Sequence, residues 1–277
     1  MKPPIINRFT PPTTVLITHE TYPPAGECIY CRRPNLTLTE EHIIPAGIMG
    51  RLVLPEASCH DCREATHIHE TRFQNLQIPG FKTRLRLSRR GNPKRSRVRI
   101  EKIHPNGTRE ILNPKANEVP TFLSMPRFDF PTLILGREWE SPPEFVGTVL
   151  SPDSPVPAEE VAEGNFSTTI RINVTSFCLM LAKIAHSFAV AACPPEQLQK
   201  YDLLLPDLIR NGADKAPTHV VGGELKSTPP QGADLHEIAA GDATSEFGRF
   251  LSVRIRLFAP WHTPVYHVLA GKYRDPS

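Results

Sequence analysis

Two Cys-x-x-Cys pairs constrain this chain more than any other feature. Cys28 and Cys31 form the first, Cys59 and Cys62 the second, with 27 residues between the pairs. Four thiolates can close a tetrahedral shell around one zinc ion. Such a site ties two distant segments together, and its binding free energy becomes folding free energy. A four-thiolate zinc has no open coordination position, so the ion is expected to be structural. The alternatives are four unpaired core thiols or one redox pair, and redox pairs rarely come doubled. Six cysteines in 277 residues do not make the dense disulfide framework of a short secreted chain. The start of the chain, MKPPIINRFTPP, lacks the continuous apolar segment of a signal peptide. No run of about 18 apolar residues is read, so no membrane span is expected. These features point to a cytoplasmic protein with reduced thiols.

Thirty prolines argue for many turns and against a long-helix protein. The expected class is α+β: a small zinc-stapled module plus a larger C-terminal α+β domain. Residues 1–24 are expected as an extended arm and 25–78 as the cysteine-rich module. Residues 79–112 are expected as a basic β-hairpin region, 113–170 as a proline-rich connection, and 171–277 as the C-terminal domain. Within the module, Leu36 and Leu38 alternate with threonines, which predicts a strand. Pro45, Gly47 and Gly50 mark a loop, and Leu52 to Leu54 predict a second strand. The segment from Ser58, a candidate N-cap, runs without Gly or Pro to Pro79 and predicts a helix.

Further on, RVRIEKIHPNGTREIL predicts a hairpin around Asn106–Gly107. PRFDFPTLILG suggests one buried strand. Phe177, Leu181, Ile184 and Phe188 form a helical stripe over 175–193, capped by Thr175 or Ser176 and ended by Pro194–Pro195. THVVGGEL, FLSVRIRLFA and PVYHVLAGK read as strands of a final sheet. His186 is expected to be packed or at an edge, and no role is assigned to His262 or His267.

Between the cysteine pairs lies Glu41–His42–Ile43–Ile44–Pro45. On the predicted helix, Arg63, Thr66, His67 and Glu70 recur at spacings of three and four, which places them on one face. The whole string resembles the HNH endonuclease family: Cys-x-x-Cys, Glu-His-Ile-Ile-Pro, a glycine-containing loop, a short strand, and a second Cys-x-x-Cys opening a helix. The resemblance covers about residues 25 to 75. It implies a ββα-metal fold with a four-cysteine zinc site, His42 as general base, and Glu41 as ligand of a catalytic divalent ion. The residue after the last cysteine, often His or Asn in that family, is Arg63 here, and the family's middle Asn has no clear counterpart. Glu70 is the first candidate for the second ligand of Mg2+ or Mn2+, because its carboxylate suits a hard cation; His67 is the second.

Neutral imidazole, with an ordinary pKa of about 6.5, can take a proton from the attacking water. A divalent ion would stabilise charge on the scissile phosphate, and Arg63 is a candidate phosphate contact. The stretch from Phe81 to Ile100 carries Lys82, Arg84, Arg86, Arg89, Arg90, Lys94, Arg95, Arg97 and Arg99 without one carboxylate. A local run of cations in a chain of net charge only +3 is the expected footprint of a polyanion, DNA first and RNA not excluded. The functional expectation is thus a metal-dependent DNA endonuclease. The alternative is a non-catalytic zinc-binding module for nucleic acid or protein.

Overall fold

The computed structural model describes residues 5–8, 16–84, 97, 100–104, 106–114, 121–150, 166–167, 171–226 and 228–274. The protein is α+β, with four cysteines gathered near residues 28–62. Strand β1, Leu38–His42, pairs antiparallel with β2, Leu52–Cys59, and helix α1, His60–Arg72, follows at once. The predicted strand–loop–strand–helix order is what the chain adopts. Glu20–Thr21 adds a short parallel strand on the outer side of β2, so part of the N-terminal arm belongs to the module's sheet.

The register of this hairpin slips between Thr39 and Glu41. Thr39 faces Ser58 while Glu41 faces Leu54, so Pro55, Glu56 and Ala57 lie opposite the single residue Glu40. Pro55 has no N–H to give the ladder, and Glu56 takes a positive φ of 49°. A bulge of this kind bends and twists the strand that carries it. In the loop between the strands, a Cβ on Gly50 would collide with the Ile44 carbonyl, which makes glycine the residue that fits there.

Two details of α1 differ from expectation. Its N-cap is Cys59, in extended backbone and without a side-chain capping bond. Ser58 stays in β2, where its hydroxyl donates to the Cys59 carbonyl. The second cysteine pair thus straddles the start of the helix, and Asp61 in its first turn is favoured by the positive end of the helix dipole.

The second organising element is α2, Val174–Ala192. Asn173 caps it, accepting from the Ser176 N–H at 2.8 Å; Thr175 and Ser176 lie inside the helix. By length and composition α2 could cross a membrane, yet most of it is buried inside the protein. It packs on α1 from one side and on the C-terminal sheet from the other. That sheet is antiparallel around β3, His236–Ser245, β4, Gly248–Leu257, and β5, Tyr266–Tyr273, in that order. Tyr201–Leu203 and Val221–Gly223 both pair with β5. The three strands expected from sequence are present. Strand β3 was not expected: HEIAAGDATS is rich in Ala, Gly and Asp, which have low strand propensity, and its outer half is largely exposed.

Elsewhere the outcome is mixed. Ile100–Ile103 and Arg109–Leu112 form the predicted hairpin, with Gly107 at a positive φ and Asn106 Oδ1 accepting from the Thr108 N–H at 3.0 Å. The β-like reading fails at the start of the basic region, because Pro79–Arg84 is helical. Phe81 anchors it, fully buried against Phe258 and Trp261. No buried strand spans PRFDFPTLILG. The strand Thr121–Arg127 ends there, and Thr132–Leu135 is a helical turn begun by Pro131 and closed by Gly136 at a positive φ. One apolar cluster runs from Cys28 and Ile43 through Phe81, Leu123 and α2 to Val268. The small module and the C-terminal region share that core.

Candidate metal centre and carboxylate site

The four cysteine sulfurs lie within 4.8 Å of one another. A tetrahedron with Zn–S bonds of about 2.3 Å puts its sulfurs roughly 3.8 Å apart. The Cys31 and Cys59 sulfurs are 3.8 Å apart. All four cysteines are free of disulfides. The donor set fits zinc in number, type and spacing. The Cys59 N–H points at the Cys28 sulfur, a bond that favours thiolate there. Arg33 donates to the Cys31 sulfur and also to Asp61 at 2.8 Å, linking the first pair to the second outside the metal. Burial pushes the Cys28 and Cys62 thiols up, so a metal binding here displaces their protons.

Beside this knuckle, on the inner face of the module, Glu41 and Glu70 converge. Glu41 is turned inward by the alternation of β1, and Glu70 reaches in from the last turns of α1. The group between them is Lys183 of α2. Its Nζ lies 2.6 Å from Glu41 Oε1 and 2.8 Å from Glu70 Oε1. It also donates to the backbone carbonyl of His42, in a very short contact, and lies 3.3 Å from that of Ile43. Lys183 is 2% exposed and Glu41 5%. Burial disfavours the ammonium, but the two carboxylates outweigh it and raise the Lys183 pKa to about 12. Burial pushes the Glu41 carboxyl up, and the Lys183 charge pulls it back. The three groups therefore form a desolvated ion cluster with one cation for two carboxylates.

His42 ends β1 on the other side of the strand from Glu41 and is half-buried. Its Nε2 is 3.5 Å from Glu40 Oε1, and its Nδ1 is buried without a hydrogen-bond partner. Arg63, Thr66, His67 and Glu70 do not share one environment. The inward line of α1 runs through Cys62 and Thr66 toward Phe73, just beyond the helix end, and Glu70 lies on its edge. Arg63 and His67 are exposed: Arg63 is 3.9 Å from Glu64, and His67 bonds Thr71 at 3.1 Å. His67 is therefore not brought to Glu41. His60 is also exposed.

On α2, one turn below Lys183, His186 bonds the Ile29 carbonyl at 2.8 Å and lies against the Tyr30 ring. Burial holds it neutral, lowering its pKa to about 4. His186 is thus packed, as expected. Lys183 was missed. The signal was a single lysine inside LMLAKIAHSFA, because a lysine in an apolar, buried helix requires carboxylate partners.

Of the basic run, Lys82 donates to Gln74 at 2.7 Å and is half-buried, and Arg97 donates to the Asn113 carbonyl at 2.7 Å. Arg84 closes the short helix. Arg86, Arg89, Arg90, Lys94, Arg95 and Arg99 lie outside the described residues. Comparison of the chain with protein-family models, with curated proteins and with solved structures finds no match.

Proposed function

We propose that the chain is a nuclease of the HNH type, cleaving phosphodiester bonds of DNA with His42 as the base that takes the proton of the attacking water. The observation that supports this reading best is local. A half-exposed histidine ends the first strand of a ββα unit whose second strand and helix carry the second half of a four-cysteine knuckle. A histidine so placed is fixed by its strand yet open to solvent, which general-base chemistry requires. Zinc held by Cys28, Cys31, Cys59 and Cys62 would supply rigidity and, with all four positions filled by thiolate, would take no part in bond breaking.

A divalent ion would supply Lewis-acid stabilisation of the phosphate. Glu41 and Glu70, the carboxylates assigned to Mg2+ or Mn2+ from sequence, are engaged by Lys183, so they do not fit that ion in this arrangement. What the chain's own residues do is clear: Lys183 fixes the carbonyls of His42 and Ile43, and thereby the strand end from which the imidazole projects. The cations between Lys82 and Arg99, with Arg63, are the proposed source of phosphate affinity.

The Lys183 cluster also favours a second reading, a non-catalytic zinc-stapled module that binds nucleic acid or protein. Incubation of the purified protein with supercoiled plasmid, with and without Mg2+ or Mn2+ and with His42→Ala beside it, decides between them. Nicking that disappears in His42→Ala supports the nuclease. Plasmid binding without nicking under every condition supports the second reading.

A further inference from the structure

Four oxygens surround the Lys183 amine: one each from Glu41 and Glu70, and the carbonyls of His42 and Ile43. Two carboxylates and two carbonyls form an all-oxygen donor set of the kind that hard divalent cations take. The cation present is an ammonium on a tethered, fully buried stem. It brings three protons to four oxygens, so every proton has an acceptor. A second observation marks the same spot. The Tyr30 hydroxyl, in the interior of the same module, is buried without a hydrogen-bond partner. The module thus sets one amine against two carboxylates and leaves a buried polar group unused.

We propose that Lys183 is a built-in cation that closes a latent divalent-metal site formed by Glu41, Glu70 and the His42 carbonyl. A tethered amine cannot diffuse away, so a metal ion must displace a bonded neighbour rather than water. The order of the strand end carrying His42 is then independent of Mg2+ and Mn2+ in the medium. This assignment rests on the nuclease reading only for the meaning of His42; the site and its cation stand on the contacts alone.

The test uses the zinc-loaded full chain and Mn2+, followed by the electron-paramagnetic-resonance signal of free Mn2+ and by thermal unfolding. Wild type is expected to bind no stoichiometric Mn2+ and to keep its melting temperature when Mn2+ is added. Lys183→Met is expected to melt lower, to bind one Mn2+ tighter than wild type by about tenfold or more, and to regain melting temperature with Mn2+. The double variant Lys183→Met/Glu41→Gln is expected to lose that Mn2+ response. If Lys183→Met does not fold alone, refolding in Mn2+ replaces the titration: recovery supports the proposal and failure to recover overturns it. A stoichiometric Mn2+ site in wild type that disappears in Glu41→Gln overturns it, as does a Lys183→Met protein that gains no Mn2+ affinity. None of these readouts involves cleavage, so a plasmid that stays intact defeats the nuclease reading and leaves this one untouched.

Discussion

The cysteine knuckle and the Glu41–Lys183–Glu70 cluster meet the same difficulty in different ways. Both gather negative charge in the interior of the small module, where an unpaired charge is expensive. The knuckle has four ligands within residues 28–62 and is suited to an exchangeable metal. The carboxylate cluster takes its cation from α2, far along the chain, and no exchange with solvent is open to it. The consequences differ accordingly. A metal in the knuckle would join the module to itself. Lys183 and His186, through Glu41, Glu70 and the Ile29 carbonyl, join the module to the rest of the fold.

Breaking the first centre has the largest expected effect. Structural zinc contributes on the order of 10–16 kcal/mol in small zinc-binding peptides. Cys59→Ser is expected to lose stoichiometric zinc, read by elemental analysis, and to lose amide-exchange protection across β2 and α1. Because one core spans the module and the C-terminal sheet, α2 is expected to lose protection too. Full protection of α2 in this variant would mean that the two regions are energetically separate.

Breaking the second centre is expected to cost less. Removal of one partner from a buried ion cluster typically costs roughly 3–5 kcal/mol. Lys183→Met is expected to lose that much in urea denaturation, and Lys183→Met/Glu41→Gln to lose clearly less, because one uncompensated carboxylate is gone. Equal losses would show that packing of the lysine stem, and not charge, dominates. The proton linkage has a definite sign. The folded-state pKa of Lys183 is raised from 10.5 to about 12, so its contribution is complete below pH 10.5 and is lost as pH rises through about 12.

His186 sharpens the comparison on the acid side. Its pKa is lowered from 6.5 to about 4. The unfolded chain therefore binds the proton first, and stability falls as pH drops from 6.5 toward 4, by on the order of 3 kcal/mol at the limit. Stability measured across this range in wild type and His186→Gln checks it. A slope identical in both proteins would remove His186 from the linkage.

The contrast also explains what the sequence made legible. Cysteine spacing is a local code, and strand–loop–strand–helix order follows from Leu36 to Leu54 and the uninterrupted helix after Cys59. Glu41 and Glu70 could be paired on paper because both lie in that unit. Their cation could not be, because nothing local in LMLAKIAHSFA names a partner across more than a hundred residues. The bulge at Pro55–Ala57 was equally hidden, since register depends on what the opposing strand tolerates. Strand β3 escaped because pairing with β4, rather than its own propensity, holds HEIAAGDATS extended. The separation of His67 from Glu70 was missed for a simpler reason: positions three apart on a helix share a face only broadly, and here the edge of the buried face falls between them.

The smallest stability effect is expected at the basic run. Charge reversal of Arg95, Arg97 and Arg99 to glutamate is expected to leave zinc content and folding unchanged. It should weaken binding to two unrelated duplexes alike, with a shallower salt dependence, since each phosphate contact contributes about −0.9 to the slope of log affinity against log salt. Affinity and slope equal to wild type would place phosphate binding elsewhere on the protein.

The cysteine knuckle suits a metal and the carboxylate cluster holds an amine, so the module is built for two cations of different kinds. Native mass spectrometry counts the metals directly. Zinc-loaded wild type kept in millimolar Mn2+ is predicted to carry one metal per chain, zinc, and Cys59→Ser none. A second, divalent metal on the wild-type chain, retained in Cys59→Ser and lost in Glu41→Gln, would contradict the account.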